Sequence, residues 1–330
     1  MWSRLLVLFV VWGLPSPSVG AHCGVATSDY SRLNSRVVGG ESVNHFRFPW
    51  FVALSRRGKN GVDVTCAGSL ITDRHVLTAA HCFRRTNRPE SLYRVVLGMV
   101  DRCEANEGRR VEMLTSRVFI HENYSPRSTS FDIAIIELDA PTHFMPICLP
   151  SQSINNAGKR ASVIGFGSTL VRRARYPCVL QEANVTIITR RACRSSHLQP
   201  KNSNVRGTLC AGVYDGGIDA CDGDSGGPLQ TQHGGQFTVQ VDSNVAGIVS
   251  FGEGCARRKV PGVYTDVSYY RNWIDRQISK TASYTAPGES VFWNKETIEQ
   301  PEDVELFWGS DAEGDVNGSK DLIPIVDVES

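Results

Sequence analysis

From Val37 to about Lys280 the chain is written in short apolar or β-branched runs, among them WFVAL, HVLTAA, YRVVLGM, DIAIIEL and VAGIVSF, each broken off by Gly, Pro, Asn or Asp. Runs of four to eight such residues between turn formers make strands, because branched side chains suit a pleated surface and the breakers stop each run before a helix could mature. The body is therefore expected to be all-β. Helical periodicity is clear once, in SYYRNWIDRQIS, where Tyr270, Trp273, Ile274 and Ile278 recur at three- and four-residue steps, predicting a helix that closes the domain. With 330 residues, 41% hydrophobic and 21% charged, the chain has the composition of a globular protein able to bury a large core.

The two ends read differently from the body. MWSRLLVLFVVWGLPSPSVG sets Arg4 before an apolar run that ends in small residues, the layout of a secretory signal peptide over 1–20 with cleavage after Gly20. A membrane anchor would need about 18 uninterrupted apolar residues, and Pro15 and Pro17 cut this run short. No membrane partner is expected, and the protein is expected outside the cell. Residues 283–330 carry twelve Asp and Glu against two Lys, a net of −10, which leaves the rest of the chain at +11. This stretch has lost periodicity, so 282–330 is expected to be an acidic, poorly ordered extension. Its two Phe-Trp pairs, Phe292-Trp293 and Phe307-Trp308, read equally as a docking motif and as incidental aromatics.

Ten cysteines in an exported chain read as disulfides, since thiols oxidise outside the cytosol and stay oxidised. No C-x-x-C pair occurs, and the Cys and His spacings are not those of a zinc finger. Neither a metal nor another cofactor is expected, and nucleic acid is not expected as a partner.

Three segments carry chemistry. Near residue 225 the chain reads Asp219-Ala220-Cys221-Asp222-Gly223-Asp224-Ser225-Gly226-Gly227-Pro228, a serine among glycines that let the backbone turn tightly. Upstream, LTAAHC holds His81, and FDIAIIEL sets Asp132 at the head of an apolar run, where a buried carboxylate needs a partner such as an imidazole. Taken singly, a serine in a Gly-rich turn is usually just a turn, and a lone histidine is more often structural than catalytic. Together, in the order His, Asp, Ser, they resemble the trypsin and chymotrypsin family, and RVVGG, FPWFVAL, CAGSLI, ICLP, TLCAG, VSFGEGC and PGVYTDV extend the likeness over about 36–280.

The resemblance implies two six-stranded antiparallel β-barrels with a cleft between them, and a serine endopeptidase. In that reading His81 is the base, Asp132 fixes its tautomer, Ser225 is the nucleophile, and the N–H groups of Gly223 and Ser225 receive the oxyanion. Ser250 helps orient Asp132. Asp219, six residues before Ser225, forms the floor of the primary pocket, with Gly252 and Gly262 leaving its walls open for arginine or lysine. Phe251 and Phe166 stand where the family usually has tryptophan, and Asp222 takes a rim position usually uncharged, which bears on subsite preference.

NSR-VVGG resembles the family's activation site: cutting after Arg36 frees the amine of Val37 to pair with Asp224. The resulting division is a light chain at 21–36 and a protease domain at 37–281. Family pairing implies bridges Cys66–Cys82, Cys193–Cys210, Cys221–Cys255 and Cys23–Cys148, the last retaining the light chain. Another family bridge is missing, since Ala161 and Thr231 stand at its positions. Cys103 and Cys178 remain, in surface loops that the resemblance puts near each other, and a bridge between them is expected by elimination as much as by that placement. Arg102, Arg109 and Arg110 in one loop, with Arg172, Arg173 and Arg175 in the other, read either as a patch for an acidic ligand or as scattered solvated charges. Asn184-Val-Thr and Asn317-Gly-Ser are glycosylation acceptors. Calcium is not expected, because Met99 stands at the first ligand position used by calcium-binding relatives. Expected partners are substrates with Arg or Lys before the scissile bond, an activating protease, and serpin or Kunitz-type inhibitors. The competing reading is an inactive homologue that acts as a binding module.

Overall fold

The computed structural model describes residues 23–26, 41–42, 47–56, 63–84, 86–104, 110–126, 130–152, 154–168, 176–195, 207–233, 241–252 and 254–281. The expected signal peptide, Arg36 and Val37, Arg109, Arg172, Arg173 and Arg175, Asn317 and the acidic extension lie outside the described residues. Among the described residues no helix is long and apolar enough to cross a membrane.

Two short strands come first, β1 (Val25–Ala26) and β2 (Glu41–Ser42). They precede β3 (Phe51–Arg56), β4 (Val64–Leu70), β5 (His75–Thr78), β6 (Tyr93–Leu97), β7 (Val111–Met113), β8 (Thr115–Ile120) and β9 (Ala134–Leu138). These seven form one antiparallel path, β7-β6-β3-β4-β5-β9-β8. Its two outermost strands are consecutive in the chain and separated only by Leu114. One extended stretch thus pairs with β6 through its first half and with β9 through its second, curling the sheet into a six-stranded barrel.

The second half supplies β10 (Arg160–Gly165), β11 (Gln181–Ile187), β12 (Thr208–Gly212), β13 (Pro228–His233), β14 (Val241–Phe251) and β15 (Gly262–Asp266). They run β14-β13-β10-β11-β12-β15, and β14 pairs back onto β15, so this barrel closes by hydrogen bonds. β1 adds to the edge of β14, and β2 pairs with β11.

The expected closing helix is α2 (Arg271–Ile278), preceded by a six-residue helix α1 (Arg190–Ser195). In α2 the residues at three- and four-step spacing, Trp273, Ile274 and Ile278, are buried, while Arg271 and Asp275 pair across one turn on the outside. α1 was not legible as periodicity because it is too short to show any. It is held from outside its own pattern, by the Thr189 hydroxyl accepting the Ala192 N–H and by the Cys193–Cys210 bridge.

Side chains from both halves meet between the barrels. Trp50 is fully buried and donates its indole N–H to Gln230 on β13 at 2.9 Å, and the Phe51 ring meets Phe166 edge-on at 5.8 Å. Removing an indole of this kind costs about 3–5 kcal/mol, since the void would not collapse. The packing fixes one barrel against the other, and with it the cleft they share.

Candidate active site

β5 ends at Thr78 and the chain folds at once into a 3-10 turn, Ala80–Phe83, which carries His81 to the edge of the first barrel. Asp132 lies two residues before β9, in a turn rather than in the strand itself, and is 3% exposed. Its Oδ1 accepts the His81 backbone N–H and its Oδ2 contacts the His81 ring Nδ1, both at 2.8 Å. The Ser250 hydroxyl donates to the same Oδ2 at 2.5 Å, and the Thr265 hydroxyl donates to the Asp132 carbonyl oxygen at 2.8 Å. The carboxylate thus leaves water with at least three partners, which offsets the cost of burying it. With Nδ1 facing a carboxylate, the neutral imidazole keeps its proton there and presents Nε2 as the free base.

Ser225 sits in a loop before β13 that is bolted to its surroundings by backbone bonds. Its carbonyl accepts the Ala67 N–H of β4 at 2.8 Å, and Gly226 N–H reaches Val249 O at 2.9 Å. Gly226 has φ +81°, and a Cβ there would run into the Thr78 hydroxyl and the Ala67 carbonyl oxygen, so only glycine fits. Gly223 has φ +101° and lies against Gly167 and the Tyr176 ring. Among the described residues the N–H groups of Gly223 and Ser225 donate to no other backbone group. Backbone N–H groups beside a serine are the kind of donor that stabilises a developing oxyanion.

His81, Asp132 and Ser225 line one cavity of about 550 Å³, which Asp219, Gly252 and Gly262 also line. Asp219 is 4% exposed and accepts N–H bonds from Ala220 at 2.8 Å and Ala256 at 3.2 Å. Burial pushes its carboxyl up to about 7, against the pull of those two bonds. A Cβ on Gly262 would come within 2.9 Å of Asp219 Oδ1, so glycine there keeps the acid reachable. The buried phenol oxygen of Tyr264, on the same cavity, has no hydrogen-bond partner among the described residues. A long guest with N–H donors would offset the burial of both groups.

Asp224 is buried beneath this loop. Its Oδ1 accepts the Gly167 N–H at 2.7 Å and its Oδ2 the Cys221 N–H at 2.9 Å. Burial pushes its carboxyl up to about 6 in spite of both bonds. A Cβ on Gly165 or Gly167 would overlap this carboxylate, which explains glycines at both positions.

The structure contains five bridges: Cys23–Cys148, Cys66–Cys82, Cys103–Cys178, Cys193–Cys210 and Cys221–Cys255, with Cα separations from 5.0 to 6.3 Å. Among the described residues, the two clusters of metal-ligand residue types, Cys66-His81-Cys82 and Asp101-Cys103-Cys178, each contain a bridged cysteine pair with no thiolate to offer. Ala161 and Thr231 are direct cross-strand partners between β10 and β13. Asn184 is exposed on β11, and Met99 is buried in the core. Arg102 is half-buried with its guanidinium over the Tyr176 ring at 5.6 Å.

Sequence reasoning passed over Thr265, Tyr264 and Tyr124, which lines the cavity beside His81. The first two stand inside the quoted PGVYTDV run. Nothing local distinguishes them, because their roles exist only where β15 meets the other barrel.

Two barrels, five bridges and this cleft define a family, and the sequence profile described as Trypsin matches residues 37–274. The chain belongs to the trypsin family. It is 36% identical over 253 residues to the Suppressor of tumorigenicity 14 protein homolog of Bos taurus, covering 74% of this chain and 28% of that relative. It is also 36% identical over 282 residues to Serine protease filzig of Drosophila melanogaster, covering 79% of this chain and 16% of that relative. The chain thus spans less than a third of the length of these curated relatives.

Proposed function

We propose that this chain is a secreted serine endopeptidase made as a zymogen, cut after Arg36, and specific for arginine or lysine before the scissile bond. The observation that carries the reading is one cavity shared by the His81–Asp132 pair, Ser225 and the buried acid Asp219. Family membership and the name of the filzig relative support it.

In this mechanism a cationic side chain enters beside Gly252 and Gly262 and ionises Asp219, bringing the next carbonyl carbon to Ser225. Nε2 of His81 takes the Ser225 proton as the bond to carbon forms, and Asp132 steadies the imidazolium. The N–H groups of Gly223 and Ser225 hold the oxyanion, each contributing about 3–4 kcal/mol. The imidazolium then protonates the leaving amine, and water repeats the sequence on the acyl-enzyme. Ser225 Oγ makes no hydrogen bond among the described residues, and such contacts commonly tighten only when substrate is bound.

Strand register supports the activation step. Ser42 lies opposite Gln181, and Gln181 opposite Gly165, which abuts the Asp224 carboxylate. Val37 is five residues before Ser42, a reach of up to about 17 Å, whereas two strand spacings amount to about 10 Å. The freed Val37 amine can therefore reach Asp224, replace its costly isolation with an ion pair, and lock the loop that carries Gly223. The strand β1 and the Cys23–Cys148 bridge would keep 21–36 attached afterwards.

The same reading takes 1–20 as a signal peptide, 37–281 as the protease domain and 282–330 as an acidic extension. Five disulfides fit an oxidising compartment outside the cytosol. It takes Asn184 and Asn317 as glycan acceptors, a basic-specific protease as activator, serpin or Kunitz-type proteins as inhibitors, and the loop arginines as a site for an acidic ligand.

The test is hydrolysis of matched arginyl, lysyl and phenylalanyl substrates before and after limited trypsin treatment, with a Ser225→Ala control. Activity that appears only on cleavage at Arg36, prefers basic residues and is absent in the control supports all three parts. Silence despite confirmed cleavage favours a binding module.

A further inference from the structure

Phe131, immediately before Asp132, has φ 58°, in the left-handed region that a bulky side chain seldom occupies. The next turn is tight: Ile133 N–H donates to Phe131 O at 2.9 Å, placing Asp132 at the apex of a three-residue turn. Ile133 O in turn accepts the His121 N–H at 3.2 Å.

A conformation of this kind persists only where the surroundings over-determine it, and here they are rings. The Phe131 ring lies 4.9 Å from the His121 ring, and His121 stacks at 5.1 Å on Trp273 of α2. Tyr270 meets both Phe131 and His121 edge-on, at 6.2 and 5.5 Å. Asn123 N–H donates to His121 Nδ1 at 3.2 Å, fixing the orientation of the imidazole in the stack. Trp273 is tied down through its indole N–H to Glu122 at 2.9 Å. The C-terminal helix therefore clamps a strained residue that adjoins the acid of the proposed triad.

The clamp matters because the Asp132 carboxylate must meet three donors at once: the His81 backbone N–H, the His81 ring and the Ser250 hydroxyl. A relaxed, right-handed Phe131 would rotate the apex and withdraw at least one oxygen from His81. We infer that Phe131, held left-handed by His121 and Tyr270, is a positioning residue that sets the aim of Asp132 on His81. Its consequence for turnover rests on the triad reading above, whereas the alignment itself does not.

The experiment compares Phe131→Val, whose branched side chain resists the left-handed region, with Phe131→Gly, which lacks the ring but adopts that region freely. Phe131→Ala takes the place of the valine variant if that one does not fold. Each full chain is cleaved at Arg36 and its competent sites are counted by burst titration. Phe131→Val is expected to lose about 10- to 100-fold in kcat, the scale of a misplaced catalytic group, with KM for an arginyl substrate changed less than about twofold. The acid limb of its kcat profile moves to lower pH, because a withdrawn carboxylate supports the imidazolium less. Phe131→Gly returns kcat to within about threefold of wild type. Equal losses in the two variants, or a loss that follows thermal stability with an unmoved acid limb, overturns the inference. A second readout needs no turnover: the low-field proton resonance of the His81 Nδ1–H···Asp132 hydrogen bond should shift in Phe131→Val and return in Phe131→Gly. If wild type is silent on every substrate yet shows this pattern, the protease reading fails and the positioning role stands. An unshifted resonance in Phe131→Val refutes the positioning role whatever the activity.

Discussion

The backbone N–H of Ala67, in β4 of the first barrel, donates to the carbonyl oxygen of Ser225 at 2.8 Å, and this one bond ties the serine loop of the second barrel to the wall that carries His81. The next residue, Gly226, is pressed against that wall. Gly226→Ala would force both a left-handed alanine and an overlap with Ala67 and Thr78. It should lower kcat/KM by at least about 100-fold, the cost of roughly 1 Å of misplacement, with secondary structure retained. Circular dichroism beside burst titration checks this, and a fully active, folded variant contradicts it.

Asp219 supplies a pH dependence. Its carboxyl is pushed up to about 7 by burial, so below that pH the free pocket holds a proton that a cationic guest must displace. Affinity for benzamidine should therefore fall as pH drops through 7, approaching tenfold per unit, and binding at pH 6 should release a proton. Calorimetry in buffers of different ionisation enthalpy reads that release directly. Binding without proton release would mean that the acid is already ionised in the empty pocket.

Asp224 should change the sign of its contribution on activation. In the uncut chain its carboxyl is raised to about 6, so the fold holds the proton more tightly than the unfolded chain does. The resulting stabilisation is fully present below about pH 4, the ordinary carboxyl range, and is lost as pH rises through 6. Comparing the uncut chain with Asp224→Asn in a Ser225→Ala background, the difference in Tm should therefore turn against Asp224 between pH 4 and 7. After cleavage at Arg36 the Val37 amine favours the ionised form, and Asp224 should become the more stabilising residue at pH 7. An identical pH trend before and after cleavage would argue against the Val37–Asp224 pair.

Ala161 and Thr231 face each other across β10 and β13 and are both buried. Opposed antiparallel residues have Cα atoms about 4.5–5.5 Å apart, within the range a disulfide spans. The double variant Ala161→Cys with Thr231→Cys should close a sixth bridge, raise Tm by several degrees and stabilise by about 2–4 kcal/mol. Two titratable thiols in the folded protein would show that the pair cannot close.

The all-β body was legible because most strands sit in apolar or β-branched runs bounded by turn formers, and the closing helix because α2 repeats its apolar face every three or four residues, whereas two barrels were implied only by the family resemblance. The split of one strand into β7 and β8 around Leu114 was not, since it depends on which neighbour each half finds. In the site, His81, Asp132, Ser225 and Asp219 were named from short segments, and the structure gathers all four around one cavity. The bond from Thr265 to Asp132 spans 133 positions and leaves no local trace, and the contact from Ser250, 118 positions away, was named only through the family resemblance.

The sequence by itself determined an all-β body closed by a helix, an even set of cysteines, and which residues carry reactive groups, because propensity and side-chain chemistry are properties of short segments. Only the tertiary structure decided that Asp132 stands at the apex of a turn held by Phe131, that Ala67 anchors Ser225, and that Asp219 and Tyr264 lie buried on the same cavity. Those facts follow from packing two barrels and a helix together, where burial, strain and unmet hydrogen bonds are set by neighbours far away along the chain.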